Sequence, residues 1–233
     1  MSGNEKEYHF VCSFGCNCSV AYQLKYRGLR TDAYPFDWVY YKSEKAIYTI
    51  ANNFKDGFKN YMLKENLKEM PVNKSHLGFV QYEDAFASFI WANHFKKNIN
   101  DKDSDYEKVK AKFDKRFKRL LDSVNKSEKV LFVFTTDFVV GVEPFQYLIR
   151  ELKNLYPEKI FDIKVNSFEC ENQETIKEDN IEIFRHTRKL NYYDYTKTNN
   201  EWSFLDDIKL RGKRENKFSL KIGKLKLKAE WGV

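Results

Sequence analysis

The sequence predicts an α/β fold: a layered, mostly parallel or mixed sheet with flanking helices and a basic β-hairpin towards the carboxyl end. Three observations carry that expectation. The run Lys129 to Thr135 (KVLFVFT) is continuously apolar, as a strand covered on both faces must be. Segments with helical spacing alternate with such strands, the order that builds a parallel sheet. Hydrophobic residues make up 42% and aromatics 17% of the 233 residues, with only 9 Gly and 4 Pro, so the chain has the means to pack a core.

Taken in order, Tyr8 to Phe14 reads as a short strand, Gly15-Cys16-Asn17 breaks it, and Val20, Ala21 and Leu24 begin a helical pattern that ends at Gly28. The aromatic segment LRTDAYPFDWVYY follows, with Pro35 holding Tyr34 extended, and a helix is expected from Ser43 to Phe54. Within 55–100 the apolar residues fit short helices, and Glu83 to Phe95 is assigned as helical. Ser104 and Glu107 form a capping box, and Tyr106, Val109, Phe113, Phe117, Leu120, Leu121 and Val124 then recur at steps of three and four. After the KVLFVFT strand, Pro144 suits the first turn of a helix to about Tyr156, and Lys159 to Phe168 and Ile181 to His186 read as strands. Near the end, FSLKI-GK-LKLKA reads as a hairpin turning at Gly223-Lys224.

These elements group into one α/β domain over 1–207 and a basic hairpin or tail over 208–233. No apolar run approaches the roughly 20 residues of a membrane span, and the opening MSGNEKEYHF lacks the apolar stretch of a signal peptide. The expected location is the cytoplasm. Cys12, Cys16 and Cys18 crowd one turn while Cys170 lies far away, a distribution that suits reduced thiols and not a disulfide framework. The net charge of +7 arises from 41 basic and 34 acidic residues, mostly interspersed.

The chemistry points to Cys18. If Asn17 caps the helix that follows, the unpaired N–H groups and positive dipole end of its first turn favour a thiolate there. The competing reading is a small buried apolar residue, as most free cysteines are. A nucleophilic thiol needs a base, and His94 in FIWANHFKK lies among aromatics that restrict water, with a helix-end histidine as its plainer reading. His186 at a strand end and His76 in a polar loop follow. The third group is Asp137, at the carboxyl end of the buried strand, or Asp37 in the aromatic segment, either of which could equally be a turn carboxylate.

Cys12, Cys16 and Cys18 lack the paired spacing of zinc sites, so no metal or other cofactor is expected. Asp101-Lys102-Asp103 has the Asp-x-Asp form of nucleotide-sugar enzymes, but it precedes a capping box and reads as a solvated helix start. No phosphate-cradling Gly-rich loop, His-Glu-x-x-His pair or RNA-binding aromatic signature occurs, which argues against nucleotide hydrolysis, metalloprotease chemistry and specific nucleic-acid binding. Nine Lys or Arg against Glu215 alone between Ile208 and Lys228 make an anionic surface or a phosphate-bearing ligand the expected partner of the tail; a solvated, edge-guarding hairpin face explains them equally.

The stretch SFGCNCSVAYQLKYRGLRTDAYPFDWVYY resembles the opening of a bacterial and viral family described as papain-like cysteine peptidases, through its Gly-x-Asn-Cys turn, Gly-Leu-Arg and Tyr-Pro-Phe-Asp-Trp. Weaker similarity continues through His94, Arg116, Arg119 and the VLFVF strand, over about the first 140 residues. The resemblance implies Cys18 as nucleophile and His94 as base, in the papain order. Papain-like enzymes also place a Gln upstream of the nucleophile, whereas no Gln precedes Gln23 here, so Asn17 or backbone N–H groups would hold the oxyanion. The strand directly before Cys18 belongs to a Rossmann-type layer more than to a papain fold.

The leading expectation is thus a cysteine-dependent hydrolase or acyl transferase using Cys18 and His94. A sugar-transferring enzyme of surface-polysaccharide assembly is the alternative. A non-enzymatic module docking through its PFDW aromatics is the third.

Overall fold

The continuously apolar run KVLFVFT lies inside the central sheet, between two parallel neighbours. The computed structural model describes residues 6–71, 78–189, 200–211, 218–222 and 225–229. Within it β1 (Lys6–Tyr8) precedes β2 (Phe10–Gly15), which joins β6 (Lys129–Thr136), β7 (Ile160–Ser167), β8 (Glu174–Glu178) and β9 (Ile181–Arg185) in the order β2-β6-β7-β9-β8. Strands β2, β6, β7 and β9 are parallel, and β8 closes the far edge antiparallel to β9. All carboxyl ends of the parallel strands therefore lie on one edge, where α/β proteins place their sites.

Alternate residues of each strand enter different layers. Val11, Leu131 and Val133 pack with Val20 and Leu24 of α1 (Ser19–Tyr26) and with Trp202 and Leu205. Phe10, Cys12, Phe14, Phe132 and Phe134 face the larger layer, which contains α2 (Lys45–Asn53), α3 (Tyr106–Lys126) and α4 (Glu143–Leu155). The apolar stripe read from Tyr106 to Val124 is the buried face of α3.

The PFDW aromatics are core, not surface. Phe36 is fully buried, stacks on Phe14 at 4.6 Å and meets Phe58, Phe89 and Phe117 edge-on. Tyr34 is buried as well, while Trp38 and Tyr40 are half-buried, so most of the aromatics expected to form a docking surface face the core instead.

The helix expected over Glu83 to Phe95 is instead a hairpin. β3 (Leu67–Glu69), β4 (Val80–Asp84) and β5 (Phe89–Phe95) form a three-stranded antiparallel sheet. Its turn is built on Asp84, whose carboxylate accepts the Phe86 and Ala87 N–H groups, and on Ser88 at φ 58°. Aromatic and apolar residues at 86, 89, 90 and 94 satisfy a helical period, but the alternating burial of Val80, Tyr82 and Asp84 along β4 and this Asx-type turn decide for strands.

Finally, β10 (Ile208–Leu210) pairs in parallel with β1, and Ile208 is buried against the α1 layer. β11 (Phe218–Ile222) and β12 (Leu225–Ala229) pair antiparallel, with Leu220 opposite Leu227 and Ile222 opposite Leu225. The Gly223-Lys224 turn and the side chains expected to meet an anionic surface lie outside the described residues. Among the described residues no helix is long and apolar enough to cross a membrane.

Candidate active site

The chain leaves β2 at Gly15 through a turn with no room for a side chain. A Cβ on Gly15 would stand 2.8 Å from the Asn17 carbonyl oxygen and 2.9 Å from Val20 Cγ2. The N-cap of α1 is Cys18 and not Asn17: the Cys18 carbonyl accepts from Tyr22 at 3.1 Å, no side chain caps the helix, and Asn17 one residue earlier makes a local turn, its Oδ1 accepting the Ser19 N–H at 2.7 Å. Cys18 has helical dihedrals, φ −73° and ψ −11°, and is half-buried, whereas Cys12, Cys16 and Cys170 are buried. It therefore occupies the helix start on the carboxyl edge of the sheet.

Burial pushes the Cys18 thiol above its ordinary value and outweighs the hydrogen bond to its own backbone N–H. No imidazole contributes to that shift.

Cys16 turns inward beside it. Its thiol donates to the Tyr41 carbonyl at 3.0 Å and lies 3.6 Å from the Asp137 carboxylate, whose other oxygen accepts the Tyr40 hydroxyl at 2.8 Å. Burial and the Asp137 charge hold this thiol well above the ordinary cysteine range. Asp137 thus stands one residue past the end of β6, against Cys16 and Tyr40.

His94 comes from β5 by an irregularity of pairing. Tyr82 faces Trp91 but Val80 faces Phe95, so one residue of β4 spans three of β5, and this bulge lets His94 and Phe95 both be buried. The ring lies edge-on to Phe113 at 4.7 Å, and it is neither on a helix nor at the surface. Its pKa is pulled down to about 3, first by burial, then by the Lys112 and Arg116 charges, while a hydrogen bond to the Trp38 backbone acts the other way. No carboxylate is among these influences.

Neither proposed orienting carboxylate is paired with that ring. Asp37 is fully buried, takes Arg30 at 2.6 Å and the Tyr34 N–H at 2.9 Å, and fastens the aromatic segment. Burial raises its pKa and Arg30 opposes the rise. What connects Cys18 to His94 is Trp38: Tyr22, one turn beyond Cys18, packs its ring on the Trp38 ring at 5.4 Å, and the Trp38 backbone bonds His94. In sequence Trp38 is marked only as part of the Tyr-Pro-Phe-Asp-Trp signature, and nothing marks Tyr22.

His186 sits on the same carboxyl edge but three strands away, hydrogen-bonded to Asn166 at 3.1 Å and stacked on Phe168. His76 lies outside the described residues. Among the described residues no group of three or more His, Cys, Asp or Glu could hold a metal ion.

A family model described as "Putative papain-like cysteine peptidase" matches residues 9–140. An uncharacterized protein of Acanthamoeba polyphaga mimivirus is 26% identical over 133 residues, which is 52% of this chain and 59% of that relative's length. The chain thus spans less than two thirds of the relative. No solved structure matches.

Proposed function

The chain belongs to the family described as "Putative papain-like cysteine peptidase", and from that premise we propose a cysteine-dependent hydrolase or acyl transferase whose nucleophile is Cys18. One observation carries the assignment. Of the four thiols only Cys18 is partly open to solvent, and it sits at a helix start on the carboxyl edge of the parallel strands.

The Cys18 sulfur attacks a substrate carbonyl carbon to form a thioester, its proton passing to His94 and from there to the leaving group. Water, or an acceptor hydroxyl, then gives its proton to His94 and displaces the sulfur. In this scheme Asn17 and a backbone N–H of the turn hold the developing oxyanion. His94 is neutral, the form that accepts a proton. Its low pKa has to rise on substrate binding, when an anionic group offsets Lys112 and Arg116 and the Trp38 wall draws the two groups together. Asp137 holds Cys16 and Tyr40 instead of orienting the imidazole.

Iodoacetamide labelling read by mass spectrometry tests the nucleophile. The folded chain is expected to gain one adduct, at Cys18, at a rate that climbs through alkaline pH, and to lose turnover of thioester and peptide substrates in step with it. A Cys18→Ala protein that keeps turning over those substrates rejects the assignment.

A further inference from the structure

The longest described helix sorts its charges onto two flanks. At about 3.6 residues to a turn, Lys108, Lys112, Lys115, Arg119 and Lys126 of α3 fall within an arc of about 60°, while Glu107 and Asp114 lie on the flank beyond it. The four lysines are exposed and Arg119 is half-buried. Asp114 is held by Lys110, Asp122 by Lys118 at 2.8 Å and Asp32 by Arg119, whereas Lys108, Lys112, Lys115 and Lys126 have no carboxylate partner among the described residues. A stripe of one sign therefore runs about 27 Å down the helix, from its first turn to its last.

Beside the stripe the surface is concave. A groove of about 530 Å³ separates α3 from Asp32 and Ala33 and is lined by Lys108, Ala111, Lys112 and Lys115. A second, of about 300 Å³, shares Lys115 and Arg119 with it and continues to Lys126. Burial and then the Arg116 charge lower the Lys112 pKa, and burial and then these two cations lower that of His94, so the fold crowds like charges where an anion relieves them. Among the described residues no aromatic ring lines either groove, which leaves single-stranded nucleic acid nothing to stack on. The apolar face of α3 is buried, so a lipid surface meets charge alone. Asp32 and Asp122 stand among the cations as acceptors, which repel phosphates and suit the N–H groups of a peptide.

We propose that this face of α3 docks an acidic segment of another polypeptide in extended form, with Asp or Glu at alternate positions set on Lys108, Lys112 and Lys115. Lys108 to Arg119 cover about 17 Å of the helix axis, the reach of about five extended residues, three of which face one side about 6.7 Å apart. Docking there needs no thiol, so it stands or falls separately from the role given to Cys18.

Fluorescence anisotropy on the full chain, native and Cys18→Ala, with a labelled dodecapeptide alternating Glu and Ser provides the test. Its Lys-Ser counterpart, a thymidine dodecanucleotide and phosphatidylcholine vesicles one-third phosphatidylserine are the comparisons. The acidic peptide should bind both chains equally, ten times or more tightly than the basic peptide and the oligonucleotide, and the vesicles should not displace it. Added salt should weaken it, as exposed ion pairs require. Lys112→Ala with Lys115→Ala should weaken it tenfold or more, while Lys153→Ala with Lys177→Ala, which removes as much charge from other faces, should change it less than twofold. No binding of the acidic peptide, equal or tighter binding of the oligonucleotide, displacement by the vesicles, or equal losses in the two double variants overturns the docking face.

Discussion

The His94 ring stands edge-on to Phe113 at 4.7 Å, and that contact seals a titratable group into a dry layer beside two cations. The cost of charging it there fixes a pH dependence. Its folded pKa is about 3 against an ordinary 6.5, so between those values the unfolded chain takes a proton that the folded chain refuses. The His94 contribution is intact above about pH 6.5 and is lost as pH falls towards 3, at up to about 1.4 kcal/mol per pH unit. His94→Gln, which keeps a donor for the Trp38 backbone, removes this dependence. Urea unfolding of both chains from pH 7 to pH 4 should therefore show native stability falling relative to the variant. A constant difference between the two would contradict the buried neutral ring.

How the Cys18 turn is made leads to a second expectation. In Gly15→Ala the new methyl group meets the Asn17 carbonyl oxygen, a backbone atom that cannot swing away, as well as Val20 Cγ2. Relief requires the turn to move, breaking the Asn17 to Ser19 hydrogen bond. A loss of about 1–3 kcal/mol is expected in urea unfolding, the usual cost of overpacking. The Cys18 alkylation rate should change with it, since that bond orders the start of the helix. A stable variant with native alkylation kinetics would show that the turn has slack.

The elements and residues that were readable in sequence share a physical property: their signal is local. The α3 stripe spans about five turns, and KVLFVFT cannot satisfy any exposed role, so neither depends on distant partners. The strand-to-helix turn at Cys18 was likewise legible because strand, break and helix follow one another directly, though the cap expected from Asn17 is not formed. His94 was visible as a residue but not as an environment, because Phe113, Lys112 and Arg116 come from α3 and Trp38 from the segment after α1. The β4–β5 hairpin was misread because its aromatics satisfy the helical period, and the turn that overrules them depends on one carboxylate. Asp37 and Asp137 were found as candidates, yet their partners Arg30 and Tyr40 could be named only once the layers were stacked.

That deciding carboxylate, Asp84, provides the third expectation. It is fully buried and accepts four bonds, from the N–H groups of Met62 at 2.8 Å, Ala87 at 3.0 Å and Phe86 at 3.1 Å, and from Trp91 Nε1 at 3.3 Å. Burial raises its pKa and these donors oppose the rise, so the site is held by hydrogen bonds with no cation among them. Asp84→Ala strands all four donors, and each buried unmet donor costs about 1–3 kcal/mol. A loss of at least about 3 kcal/mol follows, while Asp84→Asn, which keeps one acceptor oxygen, should lose less. Because the same hairpin carries the bulge that buries His94, the His94 ring resonances should shift in Asp84→Asn even where the chain stays folded. Unfolding curves for both variants, with imidazole NMR spectra for the milder one, measure this; unchanged stability in Asp84→Ala would mean that the turn holds without its carboxylate.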